Sequence, residues 1–370
     1  MKANSVLQVD CCAIKQNIVR IRQEIGPNTK LIPVLKGDAY GLGACALAQL
    51  CDLIGGIDTF AVSQISEGVE LREAGIKQQI LVMSLPLDFQ LEEAIASDLV
   101  LTLGSFRQFP LLEDLSRKFR KKIPVSLKLD TGLHRIGFLP EETEKLCSAL
   151  QDAREYLTIV GTFSHFSDTR KEKMKEQAAC FDTFLCALRE KGIDPGLCHI
   201  SSSASIEASR DYLYDAVRIG RRLMLDAPNH PAGEIREAVS FHAYLADVKQ
   251  RKAGEHLAYN ERVTLQKDTR VGVLSIGYGD GLDPALADAH VPVLINGKRA
   301  VLLASCMDQS FIDLGEIPCS PGDTVALFGY DSTGAFLSAQ EVASAIGWEG
   351  CDLTVRLTPR VKRIYREEEK

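Results

Sequence analysis

Leu31-Ile-Pro-Val-Leu-Lys36-Gly-Asp-Ala-Tyr-Gly-Leu-Gly43 carries an aliphatic stretch into one lysine and then into a glycine-rich turn. The stretch predicts a buried strand over 31–36 that ends at Lys36. A lysine in that place is costly to desolvate, and burial lowers its pKa toward neutrality. The neutral amine is the form that makes a Schiff base with a carbonyl. Behind it lies a flexible turn of the size a phosphate needs, as in a pyridoxal-phosphate enzyme. Alone, the same residues also describe a strand-end lysine that reaches water. The surroundings decide between the two.

Seven more short apolar runs follow, at 59–63, 80–84, 99–103, 124–128, 158–163, 197–201 and 216–219. Amphipathic stretches such as 14–25, 66–74, 106–120 and 171–191 separate them. Short runs rich in β-branched and aliphatic residues fit parallel strands buried on both faces. Eight strands with helices between them is the count of a (β/α)8 TIM-type barrel, and a doubly wound open sheet is the competing arrangement. The polar residues favour the barrel. Lys36 ends the first strand and Lys128 the fifth; His165 follows the sixth, Ser202 and Ser203 the seventh, and Gly220 the eighth. Barrel enzymes assemble their sites at these C-terminal ends, often with phosphate held after the last two strands.

From Asn229-His-Pro-Ala-Gly233 onward the pattern changes. Strands are predicted at 239–249, 270–275, 291–295, 299–303 and 324–328, with turn signals between them and one helix at 338–346. This is the pattern of a mainly antiparallel β domain, which Val6–Asp10 is expected to join. The expected division is therefore 1–235 for the barrel and 236–370 for the β domain, with a frayed tail at 366–370.

The net charge of −7 argues against a nucleic-acid or acidic-membrane surface. No segment approaches the roughly 20 apolar residues of a membrane span, and the start lacks a signal-peptide core. Eleven scattered cysteines in a chain of 370 residues suit reduced thiols rather than a disulfide framework. A cytoplasmic protein acting on a small molecule is expected. His165 and Asp168 have no further histidine or cysteine at ligand spacing, so no metal is expected.

Seven motifs then occur in order: Lys36-Gly-Asp-Ala-Tyr-Gly-Leu-Gly43, Leu127-Lys-Leu-Asp-Thr-Gly-Leu-His-Arg-Ile-Gly-Phe138, Ser164-His-Phe166, Val217-Arg-Ile-Gly220, Ala253-Gly-Glu-His-Leu-Ala-Tyr259, Ile276-Gly-Tyr-Gly-Asp-Gly281 and Cys306-Met-Asp-Gln309. Together they resemble the alanine racemase family, the fold-type III pyridoxal-phosphate enzymes, from about Val6 to Arg360. The resemblance implies a barrel domain, a C-terminal β domain, pyridoxal 5'-phosphate, and a head-to-tail homodimer with shared active sites. Lys36 matches the lysine joined to the cofactor, and Tyr259 the catalytic tyrosine given by the partner chain. Arg218 matches the arginine beside the pyridine nitrogen, and His165 the histidine linking it toward the tyrosine. Tyr40, Ser203 and Gly220 match phosphate-binding positions. Arg135 matches the arginine near the cofactor phenolic oxygen and the substrate carboxylate. Lys128 matches a lysine that some members carbamylate, and Met307 and Asp308 match partner-chain residues at the carboxylate. The glycine turn 277–281 is read as presenting Tyr278 to the substrate.

Elementary chemistry supports the same roles. Racemisation takes a proton from one face of Cα and returns one to the other, most simply with two bases on opposite faces. A tyrosine, with an ordinary pKa near 10, serves only if positive charge lowers it; His165 and Arg218 are the expected source. An arginine facing the ring nitrogen holds its proton, which weakens the electron sink and suits proton exchange over transamination. Lys128 beside Arg135 is a like-charge conflict that carbamylation removes, unless Lys128 points elsewhere or pairs with Asp130.

Four positions depart from the family pattern: Leu42, Ser202, Arg221 and Trp348. Arg221 is read either as a direct phosphate clamp or as reaching a larger or acidic substrate. Trp348 stands where a tyrosine is expected. A racemase of another amino acid such as serine therefore stays open. So does a pyridoxal-phosphate carrier without turnover, although a carrier predicts a barrel alone.

Overall fold

The computed structural model describes residues 3–225 and 235–367. The expected change of pattern at 229–233 and the last three residues lie outside them. The chain forms two compact units, one of residues 18–39 and 44–223, the other of residues 1–17, 40–43 and 224–370. Strand β1 (Ser5–Asp10) belongs to the second unit.

Eight parallel strands build the first unit: β2 (Lys30–Pro33), β3 (Thr59–Val62), β4 (Gln79–Val82), β5 (Val100–Leu103), β6 (Ile123–Lys128), β7 (Leu157–Phe163), β8 (Leu197–His199) and β9 (Ala216–Ile219). β3 to β8 pair in sequence order, and β2 pairs with β9. Bridges Val34↔Ala61 and Ser202↔Arg218 join the two sets, closing the ring. Ile32, Val34, Ala61, Leu81, Val100 and Ala216 form one buried cluster, the close-packed interior that makes such a barrel a core rather than a pore.

The first strand departs from expectation. Its ladder to β9 runs to Pro33, the Val34 bridge to Ala61 follows, and Lys36 then opens one turn of left-handed helix, Lys36–Gly41. Residues 37–41 have φ of 62, 53, 52, 56 and 84°, and the Ala39 N–H donates to Leu35 O at 2.8 Å. Each non-glycine residue so held costs about 1–2 kcal/mol. Lys36 is exposed, so the burial expected for it is not found. The end of the turn is closely packed. In the second unit, a Cβ on Gly41 would lie 2.1 Å from Thr354 O, and one on Gly43 would lie 1.9 Å from the Tyr365 hydroxyl. That hydroxyl donates to Leu42 O at 2.7 Å.

The second unit is a β barrel of its own. Its strands are β10 (Val239–Arg251), β11 (His256–Leu257), β12 (Val263–Thr264), β13 (Thr269–Leu274), β14 (Pro292–Ile295), β15 (Lys298–Ser305), β16 (Ser310–Asp313), β17 (Thr324–Tyr330), β18 (Phe336–Leu337) and β19 (Lys362–Arg366). The antiparallel order β10-β13-β16-β15-β14-β17 returns to β10, so six strands close on themselves. β10 can serve two neighbours because its ladder to β13 is irregular between Leu245 and Asp247, as a bulge that bends a strand allows. Asn296-Gly297, both at positive φ, makes the two-residue turn of the β14–β15 hairpin. β1 joins this sheet as expected, antiparallel to β10 and parallel to β19. The tail is thus a strand through Arg366, and the late helix is two short ones, Ala339–Ser344 and Gly350–Val355.

Candidate active site

Arg218, in β9, organises the mouth of the first barrel. Its guanidinium is buried; Nη1 lies 2.6 Å from His199 Nδ1, and Nη2 lies 2.9 Å from His165 Nδ1. Nη2 also donates to Ser164 O at 2.8 Å and Ile200 O at 3.0 Å. Guanidinium only donates, so both Nδ1 atoms accept and each histidine carries its proton on Nε2. Burial, then the charge of Arg218, pushes His165 down to about 3 and His199 well below its usual range. Both rings are neutral at pH 7. His165 therefore cannot supply the positive field expected of it, which leaves Arg218. Burial and then Arg135 push Arg218 down to about 9, so it remains a cation.

Lys128 closes β6 and is buried, with Nζ donating to Leu129 O at 2.7 Å and lying 5.5 Å from the Phe163 ring centre. Burial and then Arg218 push its amine down to about 7. Asp130 is occupied elsewhere. It accepts the N–H groups of Gly132, His134 and Arg135 at 2.9, 3.0 and 3.1 Å, which shapes the loop that carries the exposed Arg135.

Ser203 opens the short helix Ser203–Ala208 beyond β8, and its Oγ accepts the Gly220 N–H at 3.4 Å. Arg221 donates from Nη2 to both Glu207 oxygens at 3.1 and 3.2 Å. The fully buried Arg222 pairs with Glu24 at 2.7 Å and with Glu207 at 3.5 Å. Lys36 sits in its left-handed turn, and its charge is felt at His165; Tyr40 is half-buried in the same turn.

The other predicted residues lie in the second unit, as Tyr40 does. Tyr259 is 75 % exposed at the tip of the β11–β12 hairpin, where Ala258, Asn260 and Glu261 have φ of 63, 55 and 51°. The hairpin is anchored by Leu257 and Val263, packed with Leu265, Val271, Leu303 and Phe311. Tyr278, Met307 and Asp308 come together. The N–H groups of Tyr278 and Gly279 donate to the carbonyls of Cys306 and Met307 at 3.0 and 2.8 Å. A Cβ on Gly277 would lie 2.1 Å from Cys306 O, so the glycine permits this approach. Arg360 links Asp308 (2.8 Å) to buried Asp280 (3.1 Å). Trp348 is half-buried with Arg356 stacked 4.1 Å from its ring centre.

The family model described as "Alanine racemase, N-terminal domain" matches residues 9–228, and that for the C-terminal domain matches residues 238–365. The chain belongs to the alanine racemase family. It is 31% identical to the alanine racemase of Methanococcus maripaludis, over 97% of each chain. It is 33% identical to that of Pectobacterium atrosepticum, over 96% of this chain and 97% of the other. The crystal structure of the Bacillus anthracis alanine racemase with bound L-Ala-P superposes with a TM-score of 0.90 at 26% identity, covering 100% of this chain and 97% of that one. The barrel and the antiparallel β unit expected from the sequence are the architecture of this family, and the chain is a racemase by its relatives. No helix among the described residues is long and apolar enough to cross a membrane.

Sequence reasoning missed His199, Glu24 and Glu207. His199 carried a usable signal, a histidine inside an otherwise apolar strand run. The two glutamates carried none, being single acids on helices.

Proposed function

We propose that this chain interconverts L- and D-alanine with pyridoxal phosphate, as a homodimer in which Lys36 and Tyr259 of a second copy are the two bases. The observation that carries this is Arg218. It is a buried cation at a strand end, its two Nη atoms aimed by neutral imidazoles, and its Nε has no acceptor among the described residues. Such a donor fits the ring nitrogen of pyridoxal. The Ser203 hydroxyl and Gly220 N–H, beyond the last two strands, fit its phosphate, and the exposed amine of Lys36 fits its aldehyde; Tyr40 keeps the phosphate role that its motif implies. These residues suit the cofactor.

When bound, pyridoxal phosphate acidifies the Cα–H of the amino acid joined to it. Lys36 then holds or returns the proton on one face and Tyr259 on the other. Arg218 donates a hydrogen bond while keeping its own proton, which favours proton exchange over deeper rearrangement. Neutral His165, tied through Nδ1 to Arg218, has its Nε2–H to offer toward the phenol. Arg135 receives the substrate carboxylate. Lys128, whose amine burial favours as neutral, can add carbon dioxide through a new N–C bond and release a proton to water, becoming a carbamate anion that balances Arg135 and Arg218. Tyr278, Met307 and Asp308 stand exposed on the β unit, available to a neighbour's site; the Asp308 carboxylate is spent on Arg360, so its offering is backbone. Arg221 is engaged by Glu207, which occupies the guanidinium that a phosphate clamp or a larger acidic substrate would need. The β unit with Tyr259 has no place in a simple carrier.

The test is incubation of the purified protein with a panel of L-amino acids in deuterated water, following Cα exchange and D-product. Alanine should turn over fastest. Serine turning over faster than alanine would reassign the substrate, and exchange of none would remove the racemase.

A further inference from the structure

We propose that Glu67 is the positioning residue for Lys36. It lies in the first turn of the helix Ile65–Glu73, which follows β3. Its Oε1 accepts the N–H of Gly37 at 2.6 Å, the peptide next to Lys36. Its Oε2 accepts the N–H groups of Ser63 and Gln64 at 2.8 and 2.9 Å. One carboxylate thus ties the start of the left-handed turn to the end of the neighbouring barrel strand.

The turn needs such a tie. Asp38 and Ala39 sit at φ of 53 and 52°, a conformation that non-glycine residues leave unless the surroundings hold them. The far side is fastened by Asp38, whose Oδ1 accepts the Ala44 N–H at 2.7 Å. The near side has the Ala39 to Leu35 bond and Glu67. A carboxylate is the suitable group, because it accepts several N–H groups at once and charge strengthens each bond. An amide in its place has one acceptor oxygen and would turn an NH2 toward an N–H. The Lys36 amine hangs from this turn, so its reach is set by the backbone that Glu67 holds.

The proposal rests on Lys36 being the cofactor-bearing lysine, and the test separates the two. Glu67→Asp keeps a carboxylate for Ser63 and Gln64 at the helix start but falls short of Gly37. In the holoenzyme it is expected to melt near the wild type. Amide hydrogen exchange in the peptide covering 36–43 should quicken about tenfold or more, while exchange in 65–73 stays within about twofold. After removal of the cofactor, added pyridoxal phosphate should regain its lysine-linked visible absorption about fivefold or more slowly, with kcat falling more than KM. Glu67→Gln should show the same pattern with a lower melting temperature. Unchanged exchange at 36–43 with unchanged absorption recovery in Glu67→Asp would overturn the role of Glu67. Equal loosening of 36–43 and 65–73 would do so too, since that is the mark of a helix cap alone. Retention of the visible band in Lys36→Ala would instead remove the assignment of Lys36, and this proposal with it.

Discussion

Arg218 is a buried cation at the mouth of the first barrel, and its consequences are testable one side chain at a time. Arg218→Lys keeps the charge but cannot bond His165, His199 and two carbonyls together. Turnover is expected to fall on the order of 10²-fold, with more transamination product per racemisation event; both are read by kinetics and product analysis. Lys128 makes a pH prediction. Its pKa drops from 10.5 in the unfolded chain to about 7 in the fold, so folding is penalised increasingly as pH falls from 10.5 to 7 and constantly below. Lys128→Met should raise the melting temperature most at or below pH 7, with the gain vanishing toward pH 10.5. Calorimetry on protein freed of carbon dioxide checks this. A gain that grew with pH would contradict the buried amine. Mass spectrometry of the untreated protein reports whether Lys128 carries one carbon dioxide.

Between residues and fold stand a few short elements held by single acids. Asp130 accepts three N–H groups in the loop before Arg135, so Asp130→Ala should cost about 1–3 kcal/mol in urea unfolding and raise KM more than it lowers kcat. Glu207 ties the Ser203–Ala208 helix to Arg221 and Arg222. Glu207→Gln is expected to weaken pyridoxal-phosphate binding about tenfold in a spectroscopic titration, as the helix that carries the Ser203 hydroxyl loses its charged ties. At this scale the sequence was only partly legible. Barrel strands announced themselves as short aliphatic runs, and their ends placed Lys128, His165, Ser203 and Gly220 at one mouth. The strand expected to end in a buried Lys36 was misread there, because pairing ends just before it and left-handed backbone has no signature beyond glycines that also suit a flexible loop. β19, Lys362-Arg-Ile-Tyr-Arg366, hid because an edge strand this polar lacks alternation.

Across the molecule, the closed six-strand barrel of the β unit depends on β10 pairing with both β13 and β17, long-range register that no local pattern encodes. What singled out Tyr259 and Met307 on that unit was the family resemblance, and the glycine turn 277–281 singled out Tyr278. Tyr259, Tyr278 and Met307 are 75, 42 and 52 % exposed, as side chains offered to a second copy must be. A second copy covering them predicts that dilution lowers specific activity cooperatively while each chain keeps its cofactor, as sedimentation alongside assay would show.

The most direct measurement mixes two inactive variants, Lys36→Ala and Tyr259→Phe, after unfolding and refolding together. If each site takes its amine from one copy and its phenol from the other, half the dimers are mixed and each has one intact site, restoring about a quarter of wild-type activity. If both groups of a site came from one chain, no combination would contain an intact pair, and the mixture would stay as inactive as its parts.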